Sequence, residues 1–230
     1  MFLWLVKLFK TENCPLTVNK RFIMKKTYIW DLDGTLLDSY KTIVDGLYDT
    51  YKEYGIELDK EEIHKHVITY SVSSYINKMS DITGVTFDTM KARYSEIGEE
   101  KKKDIRLIPN AKETLDALSA RGDKHYVFTH RGKSTESVLK QLGIYDCFDE
   151  IVTSQSGFAR KPEPDGINYF VEKYGLDRKQ VFYVGDRTID MDCAKNAGVN
   201  GVLYLIKDSY CEPNGSETYI VDNLYDILNL

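Results

Sequence analysis

Two carboxylates two positions apart, Asp31 and Asp33, are the first residues in this chain whose types and spacing could do chemistry. They follow Thr27-Tyr28-Ile29-Trp30, an aromatic and β-branched run that reads as a buried strand ending in a polar turn. Side chains alternate along a strand, so both carboxylates start on one face, with Leu32 turned away. At that separation they repel unless a cation or a shared proton relieves them. The pair therefore suits divalent-metal binding combined with acid–base work. Gly34 permits a sharp backbone exit and a close approach to a ligand. An ordinary Asp-containing turn explains the same residues structurally. An EF-hand does not, because its ligands are spread over a long loop between two helices.

Three later segments carry further candidates. Thr129, followed by His130 and Arg131, ends the run His125-Tyr126-Val127-Phe128. Its hydroxyl and the following turn amides can face an anion. Taken alone, a threonine capping the next helix and a loop histidine are the simpler account. Lys161 lies in Arg160-Lys161-Pro162-Glu163-Pro164-Asp165-Gly166, where two prolines stiffen the chain and a lysine can reach over a sheet edge as a point charge. Asp186 ends Val181-Phe182-Tyr183-Val184-Gly185, and Asp190 follows on the first turn of a helix, where the dipole favours an acid. As a hard oxygen donor, Asp186 suits magnesium. Each signal is modest alone. Together they place carboxylates, a hydroxyl, a lysine and another carboxylate at four successive strand tips.

The elements that must hold these tips are legible in the hydrophobic pattern. Ile43, Val44, Leu47, Tyr48, Tyr51 and Tyr54 recur at helical spacing until Gly55. Asp59 with Glu62 forms a capping-box-like start for a second helix. Helical stretches are expected at 72–82 and 87–103, so residues 40–105 read as all-helical. From there helices at 111–120, 134–142, 165–174 and 189–197 alternate with strands at 125–128, 150–153, 181–184 and 201–205. Glycines 122, 143, 175 and 198 close the helices. This alternation implies right-handed βαβ units and a doubly wound, Rossmann-like parallel α/β sheet, interrupted after its first strand by a helical insertion. Ligands of such sheets sit beyond the carboxyl ends of the strands. The expected division is an α/β core of residues 24–39 and 106–230, a helical cap of residues 40–105, and a weakly ordered N-terminal extension of residues 1–23. The native start could be Met24.

Composition narrows the partners. The chain has 230 residues and a formal net charge of −5, which disfavours nucleic acid and anionic lipid. The apolar segment at residues 2–9 is short and interrupted by Lys7, so it reads neither as a membrane span nor as a signal peptide. The four cysteines form no CxxC pair, and a reduced, cytoplasmic protein is expected. An acidic protein that handles an anion must concentrate positive charge locally, through a metal or a placed lysine.

With these motifs in their order, the chain resembles the haloacid dehalogenase-like hydrolase superfamily over residues 27–206. DLDGTLLDS at 31–39 is similar to its first motif, Thr129 to its second, Lys161 to its third and GDRTID at 185–190 to its fourth. The likeness is strongest to phosphoglycolate phosphatase and β-phosphoglucomutase relatives with a small helical cap. It implies a Mg²⁺-dependent hydrolysis of phosphomonoesters. Asp31 would be the nucleophile and Asp33 the general acid and base. Asp31, the Asp33 main-chain carbonyl and Asp186 would hold the metal, with Asp190 in support. Thr129, the amide of His130 and Lys161 would bind the phosphoryl oxygens. Asp33 argues against the dehalogenases and phosphonate-cleaving members, which replace it. His130 departs from the asparagine many relatives carry, which leaves its imidazole for the substrate or the cap.

The resemblance also places a specificity loop at residues 68–74, with Tyr70, Ser71 and Ser73 as candidate contacts and Arg131 as a further one. Such hydroxyls suit a polar, sugar-like leaving group, whereas a second anion would prefer an arginine fork. The partner is then a small phosphorylated metabolite, met by a monomer or weak dimer. Alternatives are a sugar phosphomutase, a phospho-accepting signalling domain and a non-catalytic binding protein.

Overall fold

The computed structural model describes residues 25–230. The extension expected at residues 1–23, the alternative start at Met24 and Cys14 fall outside them. β1 (Thr27–Trp30) has all four side chains buried, as a central parallel strand requires. The chain then forms a two-residue strand, β2 (Leu37–Asp38), and enters four helices: α1 (Tyr40–Lys52), α2 (Lys60–Thr69), α3 (Val72–Thr83) and α4 (Phe87–Lys101). It returns through β3 (Arg106–Leu107), which pairs antiparallel with β2. The two crossings between insert and sheet thus lie side by side.

Local chemistry explains the helix limits. The Asp59 side chain accepts from the Glu61 amide at the start of α2, and the Ser71 side chain accepts from the Ser74 amide at the start of α3. Gly84 ends α3 at φ 73°, a conformation that costs glycine least.

The second half alternates as expected: α5 (Ala111–Ala120), β4 (Lys124–Phe128), α6 (Thr135–Gln141), β5 (Glu150–Val152), α7 (Asp165–Tyr174), β6 (Val181–Gly185), α8 (Thr188–Asn196), β7 (Asn200–Tyr204) and β8 (Tyr219–Val221). Six strands form one sheet in the order β5-β4-β1-β6-β7-β8, and every pairing is parallel. Trp30 lies opposite both Val127 and Val184, so the carboxyl ends of β1, β4 and β6 come level.

Strand alternation divides the core between the two sheet faces. Tyr28, Trp30, Val127 and Val184 pack with Leu115 and Leu118 of α5 on one side. Ile29, Tyr126 and Tyr183 pack with Phe170 of α7 and Ala194 of α8 on the other. The insert has its own apolar cluster around Leu47, Tyr51, Ile63, Tyr75 and Met90. Ile68 of α2 also meets Met191 and Leu203 of the sheet layer, which ties the insert to it.

Three features differ from the sequence reading. β2 and β3 are two residues long, too short for any period. β8 is a sheet-edge strand with Tyr219 and Ile220 partly exposed, so it lacks the continuous burial that marks β1. Lys102 and Lys103, expected to finish α4, belong instead to a 3-10 turn, Lys102–Asp104. Among the described residues, no helix is long and apolar enough to cross a membrane.

Candidate active site

The level strand ends bring distant side chains together. Asp31 leaves β1 with its amide donating to Val184 O at 2.8 Å, and its carboxylate is buried. Lys161, on the loop between β5 and α7, reaches over the sheet with its side chain fully buried. Its Nζ lies 3.0 Å from Asp31 Oδ1 and 2.7 Å from Asp190 Oδ1. Burial alone would depress the lysine pKa. Asp190 and Asp31 outweigh it and hold the ammonium above its ordinary value. A buried charge persists only when paired in this way. Tyr183 OH also donates to Asp190 Oδ1, at 3.1 Å, and Asp190 Oδ2 accepts from the Arg187 amide. Asp190 is therefore a bracket for Lys161 and for the start of α8.

Carboxylate oxygens of Asp31, Asp186 and Asp190 all lie within 4.8 Å of one another. Asp186 accepts from Thr35 Oγ1 at 3.2 Å and from Tyr40 OH at 2.6 Å. Burial raises its pKa to about 7; Arg187 opposes the rise, while Asp190 and Asp31 add to it. Asp31 Oδ1, though in ion-pair range of Lys161, has no hydrogen-bond partner among the described residues. Crowded, desolvated carboxylates with a spare oxygen fit a hard divalent cation such as magnesium. Gly34, at φ 82°, passes so close to Asp186 and Tyr40 that a Cβ there would collide with both. The close approach is to these two side chains, whereas the sequence position implied one to a ligand.

The other expected residues fall around this centre. Thr129 is buried at the end of β4, where its hydroxyl accepts from the Arg131 amide at 3.2 Å. The His130 imidazole lines the space between insert and sheet and is also tied to the lysine loop. Its Nε2 accepts from the Lys161 amide at 3.0 Å and so pins the lysine loop to β4. Burial, then Lys161, push its pKa down to about 2, which keeps the ring neutral. Asp33 lies outside the carboxylate trio, with its side chain turned to Arg131. Ser71 and Ser73 line a cavity of about 710 Å³ between insert and sheet, together with Asp33, His130 and Arg131. Tyr70 is not in that lining; it is exposed, with its ring tilted against that of His66.

Sequence reasoning missed several residues here. Thr35 and Tyr40 orient Asp186, yet nothing in their spacing signals it. Lys91 and Tyr94, one turn apart on α4, line the cavity with Arg160 and Arg187. Their helix was legible, but not which face it turns inward.

Residues 28–204, from β1 through β7, match the family described as haloacid dehalogenase-like hydrolase. The chain belongs to that family. The match takes in all four strand tips of the site. Among the relatives of this haloacid dehalogenase-like hydrolase is pyrophosphatase PpaX of Bacillus velezensis, 27% identical over 206 residues, covering 88% of this chain and 94% of the relative. Phosphoglycolate phosphatase of Mannheimia succiniciproducens is 28% identical, with 87% and 96% covered. The crystal structure of a predicted phosphoglycolate phosphatase from Haemophilus somnus superposes with a TM-score of 0.78 at 29% identity, over 89% of this chain and 97% of that one.

Proposed function

We propose that this hydrolase is a magnesium-dependent phosphatase of small phosphorylated metabolites that works through a phosphoryl-aspartate on Asp31. One observation carries the reading: a buried lysine paired to Asp31, beside a trio of carboxylates at converging strand ends. The relatives' names, a pyrophosphatase and phosphoglycolate phosphatases, support phosphoryl chemistry as its class.

Asp31 attacks phosphorus through a carboxylate oxygen, and the ester P–O bond breaks. The departing alkoxide takes its proton from Asp33. Water then attacks the phosphoryl-aspartate, gives a proton to Asp33, and the bond to Asp31 breaks to release inorganic phosphate. Lys161 and Thr129 hold the phosphoryl oxygens and the charge that grows on them. Asp31, Asp186 and the Asp33 main-chain carbonyl would hold magnesium, which when bound neutralises the repulsion between carboxylate and phosphate. Asp190 keeps Lys161 in place, and His130 fixes the loop that carries it.

The test is phosphate release from a panel of phosphorylated metabolites, with magnesium and with chelator. Turnover that disappears on chelation is expected. Failure to release phosphate from any member, or full turnover without divalent metal, overturns the proposal.

A further inference from the structure

The cavity beside the carboxylate trio is positively charged in a chain whose net charge is −5. Some of its cations are already neutralised: Arg131 by Asp33, Lys101 by Asp49 and Lys102 by Glu99. Lys91 and Arg160 are not. Among the described residues, no carboxylate lies within ion-pair distance of either. They come from opposite walls. Lys91 stands on α4 of the insert, with its ammonium 5.4 Å from the Tyr94 ring centroid. Arg160 stands on the sheet-side loop, immediately before Lys161. Two further cations line the same space: Lys133, which is exposed, and Arg187, whose charge faces the carboxylate trio and whose buried Nε has no hydrogen-bond partner among the described residues.

Like charges gathered without a counter-ion are costly. The cost is visible here. Burial, then Arg160, hold Lys91 below its ordinary pKa, and burial, then Arg187, do the same to Arg160. An anion of the ligand entering the cavity would relieve this. The site for the transferred phosphoryl group is already supplied with Lys161, so the relief must come from elsewhere on the substrate.

We propose that Lys91 and Arg160 bind a second negatively charged group, on the alcohol portion of the substrate, and that this anion bridges the helical insert to the sheet. The proposal rests on the phosphatase reading and sharpens it: the preferred substrate is a phosphomonoester whose leaving group carries its own carboxylate or phosphate. The serines of the loop at residues 68–74 then shape the pocket without setting its charge preference. Lys78, the one basic residue of α3, is tied to Glu62 instead.

Three esters with the same two-carbon skeleton separate the possibilities: ethyl phosphate, phosphoglycolate and ethylene glycol bisphosphate, with p-nitrophenyl phosphate as a general probe. The wild-type enzyme should favour at least one charged-tail ester over ethyl phosphate in kcat/KM, and which one identifies the anion. In Lys91→Gln and Arg160→Gln that preference should fall about tenfold or more, the loss expected for one charge-assisted contact. Lys78→Gln should leave it as it was. If the wild type hydrolyses all four probes without preferring a charged tail, or if either variant keeps the wild-type preference, the second-anion site is wrong while the phosphatase reading stands. If none of the four is hydrolysed, both fall.

Discussion

Arg131 Nη1 donates to Asp33 Oδ1 at 2.6 Å, joining the turn after β1 to the turn after β4. The pair is mostly shielded, with side-chain exposures of 11% and 23%. Asp33 is the proposed proton donor and acceptor, so Arg131 sets the direction in which that carboxylate points. Arg131→Met should therefore lower kcat by about tenfold, part of what general acid–base catalysis contributes. Magnesium affinity should change little. Steady-state kinetics with a magnesium titration checks this, and an unaltered kcat would show that Asp33 needs no such guide.

Lys161 is buried between Asp31 and Asp190. Lys161→Met removes the cation and leaves two carboxylates buried together. Loss of one partner from a buried pair costs about 3–5 kcal/mol, so the variant should unfold at markedly lower urea. Saturating magnesium should recover part of that loss by binding the folded state. Urea titrations with chelator and with magnesium make the comparison.

Tyr40 donates to Asp186 at 2.6 Å from the first residue of α1. Tyr40→Phe deletes that hydrogen bond while keeping the ring. A partner that orients a metal ligand is worth about 10–100-fold in metal affinity, so magnesium binding should weaken within that range. Calorimetric titration of the variant reads it directly.

His125 gives a prediction about pH. Its Nδ1 accepts from Trp30 Nε1 at 3.1 Å, and burial lowers its pKa from 6.5 to about 4. The unfolded chain therefore binds the proton first. Its contribution is complete above pH 6.5 and is lost as pH falls towards 4, by about 3 kcal/mol at most. Asp186 and His130 titrate as well, so the quantity to measure is the difference between wild type and His125→Gln. Wild type should lose stability faster through this window; parallel pH profiles would contradict the assignment.

Much of this was legible in the chain because it rests on short-range rules. The apolar run at Thr27–Trp30, the glycines that close helices and the residues at strand ends each follow from local geometry. The parallel order then makes their convergence necessary. What escaped was decided across the fold. Tyr40 reaches Asp186 because the turn at residues 34–36 and β2 bring the start of α1 back beside the strand ends. Lys91 enters the cavity only because of how α4 packs on α1, with Tyr94 against Gly46. The His130 imidazole, expected at the substrate or the cap, lines the cavity, and its hold on the Lys161 amide is a contact between two loops that no spacing encodes. β8 was missed because an edge strand leaves Ile220 half exposed.

The central claim is that Asp31 takes the phosphoryl group. The most direct measurement compares p-nitrophenyl phosphate hydrolysis by wild type and by Asp31→Asn at saturating magnesium, with circular dichroism showing both folded. The account predicts a loss of roughly 10³-fold or more, because the amide cannot act as the nucleophile. A folded variant that keeps wild-type turnover would contradict it.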